Sequence, residues 1–143
     1  SGTRFGPKQI RAESNMLRPY NMWTKAAPFE HLQCADLGDV AINTFDLKDS
    51  VRRITAYYDE VLQHDVIPMT LGGDHTLSLP VLRAIAAENP VGMLHFDSHT
   101  DLFHSYFGGM MYTHGTPFRR AVSRTYSTFF VTIFGNWNDI IFN

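Results

Sequence analysis

Apolar positions along the chain alternate between helical and extended spacing, which predicts helices that connect the strands of a parallel sheet. The predicted helices cover residues 7–17, 46–64, 78–88 and 114–122. The predicted strands cover residues 66–71 and 91–96, with a further candidate at 129–134. A strand is also predicted over residues 32–40, running into a loop at 36–39. Polar residues follow directly after the strands. In open α/β sheets ligands bind at this position, so the pattern predicts a site at the strand ends.

Local signals place the ends of the predicted helices. Pro7 stands where a first helical turn tolerates proline. Asp49 and Ser50 lie near the expected capped start of the longest helix. The helix over 78–88 is expected to stop before Pro90, because a residue that precedes proline disfavours helical backbone.

Composition limits the class of protein. The 143 residues are 44% hydrophobic and 18% charged with a net charge of −2, which excludes a disordered chain and gives no electrostatic case for nucleic acid or membrane as a partner. No apolar run approaches the roughly 18 residues of a membrane helix. The single cysteine, Cys34, cannot form an internal disulfide, so we expect a reducing compartment, the cytoplasm first and the mitochondrion as an alternative. Arg119 and Arg120 are expected to face solvent or to pair with carboxylates.

The segment after the strand over 91–96 carries the strongest candidate chemistry. Asp97, His99 and Asp101 are spaced by two, and side chains two apart leave an extended chain on the same side. Two carboxylates and one imidazole form a mostly hard donor set that suits Mn²⁺ or Mg²⁺, while the imidazole also admits Zn²⁺, Fe²⁺ or Ni²⁺. The alternative is a solvated loop. His95, which lies inside the strand, is interpreted as a packed histidine.

Two further histidines follow polar or glycine-bearing turns. Gly72 and Gly73 allow a sharp turn after the strand over 66–71, which would bring His75 to the same rim of the sheet. His114 follows the long loop after Asp101, where a mobile imidazole could shuttle protons. A plain turn at Gly72–Gly73 and a capping or surface role for His114 remain open.

Five segments together resemble the ureohydrolase family, which contains arginase, agmatinase and guanidinobutyrase. They are GTRFGPKQIR (2–11), ADLGDV (35–40), LGGDH (71–75), FDSHTD (96–101) and HGTPFRRA (114–121). The first two resemble the agmatinase and guanidinobutyrase branch in particular. The resemblance implies an arginase-like fold, a three-layer α/β/α architecture with a mainly parallel sheet.

The resemblance also implies a binuclear manganese site with two Mn²⁺ ions. On this pattern Asp97 would bridge both ions, His75 and Asp101 would serve one ion, and His99 would serve the other. His114 would be the catalytic histidine beside the leaving amine. The implied reaction is hydrolysis of a guanidino group to urea and an amine, with a metal-bridging hydroxide as the nucleophile.

The substrate expected from the resemblance is a small guanidino compound. Arginases carry an asparagine two residues after the last aspartate of the D-x-H-x-D motif, and this chain has Phe103 there. An apolar side chain suits a substrate without the α-amino and α-carboxylate pair of arginine. We therefore expect agmatine, which would give putrescine, with 4-guanidinobutyrate as the alternative. The resemblance also implies a homo-oligomer, a trimer or hexamer, for the complete protein.

The chain departs from the family pattern after Val122. The family has a later D-x-D motif that supplies two further metal ligands, and the surroundings of Asp139 do not resemble it. We therefore expect residues 1–122 to form a partial ureohydrolase domain with an incomplete sheet, followed by a divergent tail over 123–143. The alternatives are an inactive truncated fragment, or a hydrolase with one metal ion held by His75, Asp97 and Asp101.

Overall fold

The structure is a computed structural model that describes residues 2–122 and the backbone of residues 129–133. The chain divides into two compact units, Ser1–Asp39 with Leu71–Gly73, and Val40–Thr70 with Asp74–Asn143. The first unit contains a 3₁₀ turn (Gly2–Phe5) and helices α1 (Gly6–Ser14) and α2 (Pro28–His31). The second contains α3 (Leu47–Val61), a 3₁₀ turn (His75–Leu77), α4 (Ser78–Ile85), β1 (Gly92–Phe96), α5 (Pro117–Val122) and β2 (Phe129–Ile133).

In the first unit, helix α1 is tied to the loop that follows α2. Proline lies in the first turn of α1, as predicted, and the helix ends at Ser14 rather than at residue 17. The Arg11 guanidinium donates to Asp36 through two nitrogens, at 2.7 and 3.0 Å, and to Asp39 at 2.9 Å. The hydrogen bond from Arg11 lowers the pKa of Asp36 to about 2.

The Gly72–Gly73 pair permits a close approach within the first unit. A Cβ on Gly73 would lie 2.9 Å from the Thr3 carbonyl oxygen, and one on Gly6 would lie 3.1 Å from the Gly72 carbonyl oxygen. Contacts below 3.0 Å do not occur for real Cβ atoms, so Gly73 must be glycine for this packing. The sequence predicted these glycines for a sharp turn, and the structure uses them for backbone contact.

Helix α3 confirms the strongest helical pattern in the sequence. Its N-cap is Asp46, whose carboxylate accepts from the backbone N–H groups of Lys48 and Asp49 at 2.9 and 3.1 Å. The sequence predicted that this helix begins at about residue 46, with Asp49 and Ser50 near the capped start, and the structure confirms that start. Val51 and Tyr58 form the buried face of the helix.

Asp49 instead joins the first turn of α3 to its surroundings. Its carboxylate accepts from Asn43 Nδ2 at 3.1 Å and from Arg53 Nε at 2.7 Å, and it also accepts from Arg52. The hydrogen bond from Asn43 and those from the two arginines lower the pKa of Asp49 from 3.8 to about 2.

The Asp49→Asn variant is expected to remove part of the acid sensitivity of the fold. Because the pKa of Asp49 is lower in the folded chain than in the unfolded chain, its contribution is present above about pH 4 and is lost as the pH falls toward 2. Urea denaturation at pH 6 and pH 2.5 should show a smaller loss of unfolding free energy for Asp49→Asn than for the wild type. Asp59→Asn, on the same helix, is the control. An equal loss for both variants would contradict the assignment.

The core of the second unit lies between α3, α4 and α5. Helix α3 packs against α4, and α4 packs against α5. Leu79 of α4 and Phe118 of α5 are almost completely buried. Helix α4 was predicted to run to residue 88 and ends at Ile85, and α5 begins at Pro117 rather than at residue 114.

The strands β1 and β2 pair in parallel, from Gly92 opposite Phe129 to Phe96 opposite Ile133. This pairing confirms the strands predicted at 91–96 and 129–134, although residue 134 lies outside the described residues. The strands predicted over 32–40 and 66–71 are wrong, because neither segment forms strand pairing in the described part of the chain. The remainder of the predicted tail, residues 123–128 and 134–143, lies outside the description. Within residues 2–122, no helix is long and apolar enough to cross a bilayer.

Candidate metal centre

Four side chains that can bind a metal converge at the C-terminal end of β1. Each offers one nitrogen or oxygen atom, and these atoms all lie within 4.8 Å of one another. The four residues are His75, His95, Asp97 and Asp101. His75 comes from the 3₁₀ turn before α4, so the structure confirms that the two sequence motifs meet at one strand end.

The shortest contact in the cluster joins His75 to Asp101. His75 Nδ1 lies 2.6 Å from Asp101 Oδ2 and 3.6 Å from Asp97 Oδ2. His95 Nε2 lies 3.5 Å from the same Asp97 oxygen. The Asp97 oxygen is therefore next to both imidazoles, while Asp101 makes the shortest contact, to His75.

Asp101 adopts an unusual backbone conformation. Its φ is +49°, in the left-handed region that aspartate enters more readily than most residues but still at some cost. Its carbonyl accepts from the Phe118 backbone N–H at 3.3 Å, and its side chain is 8% exposed. Left-handed residues of this kind are found where the surrounding structure holds a functional group in place. Here the conformation turns the carboxylate toward His75.

Asp97 is held in its charged form. Burial raises its pKa, but the hydrogen bond from the His99 backbone N–H, at 3.0 Å, and the fields of His75 and His95 outweigh burial, so the pKa lies below the ordinary value. A charged carboxylate is the form that binds a metal ion.

His95 is both a packed histidine and a member of the cluster. It is 6% exposed, and its ring lies edge-on to Phe118 with centroids 4.5 Å apart. The prediction of a packed histidine agrees with this burial, but sequence reasoning gave His95 no part in the metal site. The available signal was that residues 95 and 97 lie two apart and so share one side of the strand.

His99 is not brought into the cluster. Its Nδ1 lies 3.4 Å from Asp97 Oδ1, yet its side chain is 73% exposed and its ring nitrogen lies 3.2 Å from the Ser98 hydroxyl. The assignment of His99 to a second metal ion stays a prediction.

His114 lies among aromatic side chains of the long loop that connects Asp101 to α5. Its ring centroid is 5.7 Å from those of Tyr106 and Phe107, and the residue is exposed. Phe103 stacks on Tyr106 with centroids 5.5 Å apart. His114 is not one of the four clustered groups, and its role as a catalytic histidine stays a prediction.

The profile of the Arginase family matches residues 1–136. The chain belongs to the arginase family. This result confirms the resemblance seen in the five sequence segments.

Relatives of this arginase-family chain include enzymes named for guanidino compounds. The chain is 58% identical over 123 residues to guanidinobutyrase of Pseudomonas aeruginosa, covering 85% of this chain and 38% of the relative. It is 52% identical over 122 residues to the mitochondrial agmatinase of Gallus gallus, covering 85% of this chain and 36% of the relative. The chain therefore spans less than two fifths of these curated relatives.

A solved structure agrees on the fold. The proclavaminate amidino hydrolase of Streptomyces clavuligerus matches with a TM-score of 0.77 and 32% identity, over 85% of this chain and 40% of that one. The predicted arginase-like α/β fold is thereby confirmed for the part of it that this chain contains.

The donor set of this arginase-family site fits a divalent cation. Two carboxylates at one strand end repel each other, and a bound cation offsets that repulsion. Carboxylate oxygens suit Mn²⁺ and Mg²⁺, and imidazole nitrogens suit Mn²⁺ less strongly than Zn²⁺ or Ni²⁺. Four donor atoms within 4.8 Å are sufficient to hold one ion. A second ion would need donors from outside this cluster.

Proposed function

We propose that this chain forms part of a metal-dependent hydrolase that cleaves a guanidino group to urea and an amine. The observation that carries the proposal is the convergence of His75, Asp97 and Asp101 at the end of β1 in an arginase-family chain. The names of the relatives, guanidinobutyrase and agmatinase, support the same class of substrate.

The proposed metal is manganese, held by His75, Asp97 and Asp101. A bound divalent ion supplies Lewis-acid activation of water, which makes hydroxide available near neutral pH. Asp97 suits this role because its Oδ2 lies 3.6 Å from His75 Nδ1 and 3.5 Å from His95 Nε2.

The remaining steps belong to side chains of the long loop. His114 is proposed to give a proton to the nitrogen of the leaving amine, since an amine leaves only after protonation. The rings of Tyr106 and Phe107 lie beside the exposed His114 imidazole, with centroids 5.7 Å from its own. Phe103 and Tyr106 offer stacked aromatic faces on which a planar guanidinium or its methylene chain can lie.

Agmatine remains the first proposed substrate and 4-guanidinobutyrate the second. Phe103, in place of the arginase asparagine, supports both, because neither compound carries the α-amino and α-carboxylate pair. The 58% identity to guanidinobutyrase is the observation that favours the second candidate. The two substrates differ in the charge at the far end of the chain, a cationic amine against a carboxylate.

Urea release from Mn²⁺-loaded protein tests this proposal. We expect release from agmatine or 4-guanidinobutyrate, little from L-arginine, loss after EDTA and recovery when Mn²⁺ is restored. The 143-residue chain and a longer product of the same gene should be assayed in parallel with a His99→Ala variant of each. Release by the longer product alone would identify the 143-residue chain as an inactive fragment. Metal-loaded protein of both lengths that releases urea from none of the three compounds would overturn the proposal.

A further inference from the structure

Arg120 of α5 is a buried arginine that binds backbone oxygens. The residue is only 8% exposed, whereas its neighbour Arg119 is exposed. Its Nη1 donates to the carbonyl oxygens of Phe103 and Thr116, at 3.3 and 3.4 Å, and its Nη2 donates to that of His104. The expectation that both arginines face solvent or pair with carboxylates is correct in exposure for Arg119 and wrong for Arg120.

A buried guanidinium needs such bonds. Removing a cation from water is costly unless hydrogen bonds compensate it. Arginine has five donors in a rigid planar fork and can reach several carbonyl oxygens at once, which the single ammonium group of lysine cannot reproduce. The side chain of Arg120 therefore fixes where the chain runs at Phe103 and His104, sixteen to seventeen residues earlier.

The segment that starts α5 also anchors the other end of the same loop. The fully buried Thr116 hydroxyl accepts from the Thr113 backbone N–H at 2.9 Å and lies 2.9 Å from the Met111 carbonyl oxygen. The Phe103 backbone N–H donates to the Gly115 carbonyl at 3.1 Å. Both ends of the loop are thus held by α5 and the residues just before it.

Between these anchors the loop closes on itself in a tight turn. Tyr106 and Met110 exchange backbone hydrogen bonds of 2.9 and 2.8 Å, and the turn passes through left-handed Phe107, Gly108 and Gly109. Phe103 stacks on Tyr106 with ring centroids 5.5 Å apart, and this contact links the Phe103 end of the loop to the turn.

We propose that Arg120 is a positioning residue for substrate binding. By holding the Phe103 and His104 carbonyls it fixes the aromatic loop against which the substrate lies. This role rests on the proposed function, since it assigns the loop to the guanidino substrate. It makes Arg120 a determinant of substrate affinity, because its hydrogen bonds hold the loop at Phe103 and His104.

The test compares Arg120→Met and Arg120→Lys with Arg119→Met in the Mn²⁺-loaded protein. Amide hydrogen exchange over residues 102–113 measures the loop without any need for activity. We expect Arg120→Met to exchange at least about tenfold faster there and to raise KM at least about fivefold, with kcat and Mn²⁺ content within about twofold of the wild type. Arg120→Lys should show nearly the same increases in exchange rate and KM as Arg120→Met, because one ammonium group cannot replace the guanidinium. Arg119→Met should match the wild type in both quantities.

The outcomes separate this inference from the proposed function. If the Arg120→Met variant shows the same amide exchange over residues 102–113 and the same KM as Arg119→Met, the positioning role is wrong. Faster exchange with unchanged KM, or a fall in kcat with KM unchanged, would also overturn it. If the wild type releases no urea, the proposed function fails, and so does the substrate role of Arg120, while the exchange result still decides whether Arg120 holds the loop.

Discussion

Replacing Asp101 with asparagine is expected to lower the affinity of the chain for Mn²⁺ by more than about 100-fold, since losing even a supporting residue around a metal costs about 10- to 100-fold. The carboxylate lies 2.6 Å from His75 Nδ1, and its backbone is left-handed, with φ at +49°. Asparagine keeps the shape of the side chain and removes the charge. Urea release by an active gene product should fall with metal occupancy.

Isothermal titration with Mn²⁺ measures this effect directly on the 143-residue chain. Asp65→Asn is the matched control, because Asp65 is exposed and lies in the same compact unit. Circular dichroism should show that both variants keep the helical content of the wild type. An Asp101→Asn variant that binds Mn²⁺ within about threefold of the control would remove Asp101 from the site.

A His114→Asn variant is expected to lower kcat by about 100- to 10,000-fold, the usual contribution of a general acid or base. Mn²⁺ binding should stay within about twofold of the wild type, because His114 is not one of the four clustered residues. The His114 side chain is exposed and lies beside the rings of Tyr106 and Phe107, so asparagine fits there without disturbing the core.

Steady-state urea release as a function of pH is the measurement for His114. The control is His104→Asn, an exposed histidine of the same loop whose backbone carbonyl remains available to Arg120. We expect His104→Asn to keep the wild-type rate and pH profile. If both variants lose activity equally, or if His114→Asn retains the wild-type kcat, the proton-transfer role is wrong.

The helices of the second unit were predictable because their signals are local. The apolar spacing of Val51 and Tyr58 already marks the buried face of α3, and Pro90 marks a region that helix α4 cannot enter. The exact ends were not predictable to the residue. The sequence marked Asp49 and Ser50 as lying near the capped start of α3, but only the structure identifies Asp46 as the cap, because capping depends on which carboxylate lies within reach of free N–H groups.

The strands were predicted less well because a strand is completed by its partner. Residues 91–96 and 66–71 are both mostly apolar, yet of the two only residues 91–96 pair, with β2, among the described residues. An apolar run does not say which segment will supply its hydrogen-bond partner. That information lies in the topology of the whole sheet.

The sequence alone determined the family and the chemical character of the site. The spacing of Asp97 and Asp101 behind an apolar strand, and the Gly-Gly-Asp-His turn before α4, are written into short segments and can be read without coordinates. Only the tertiary structure decided which groups meet. It brings His75 to within 2.6 Å of Asp101 and adds His95, while leaving His99 exposed. It also buries Arg120 against a loop sixteen residues earlier, because contacts between distant segments depend on packing that no local pattern contains.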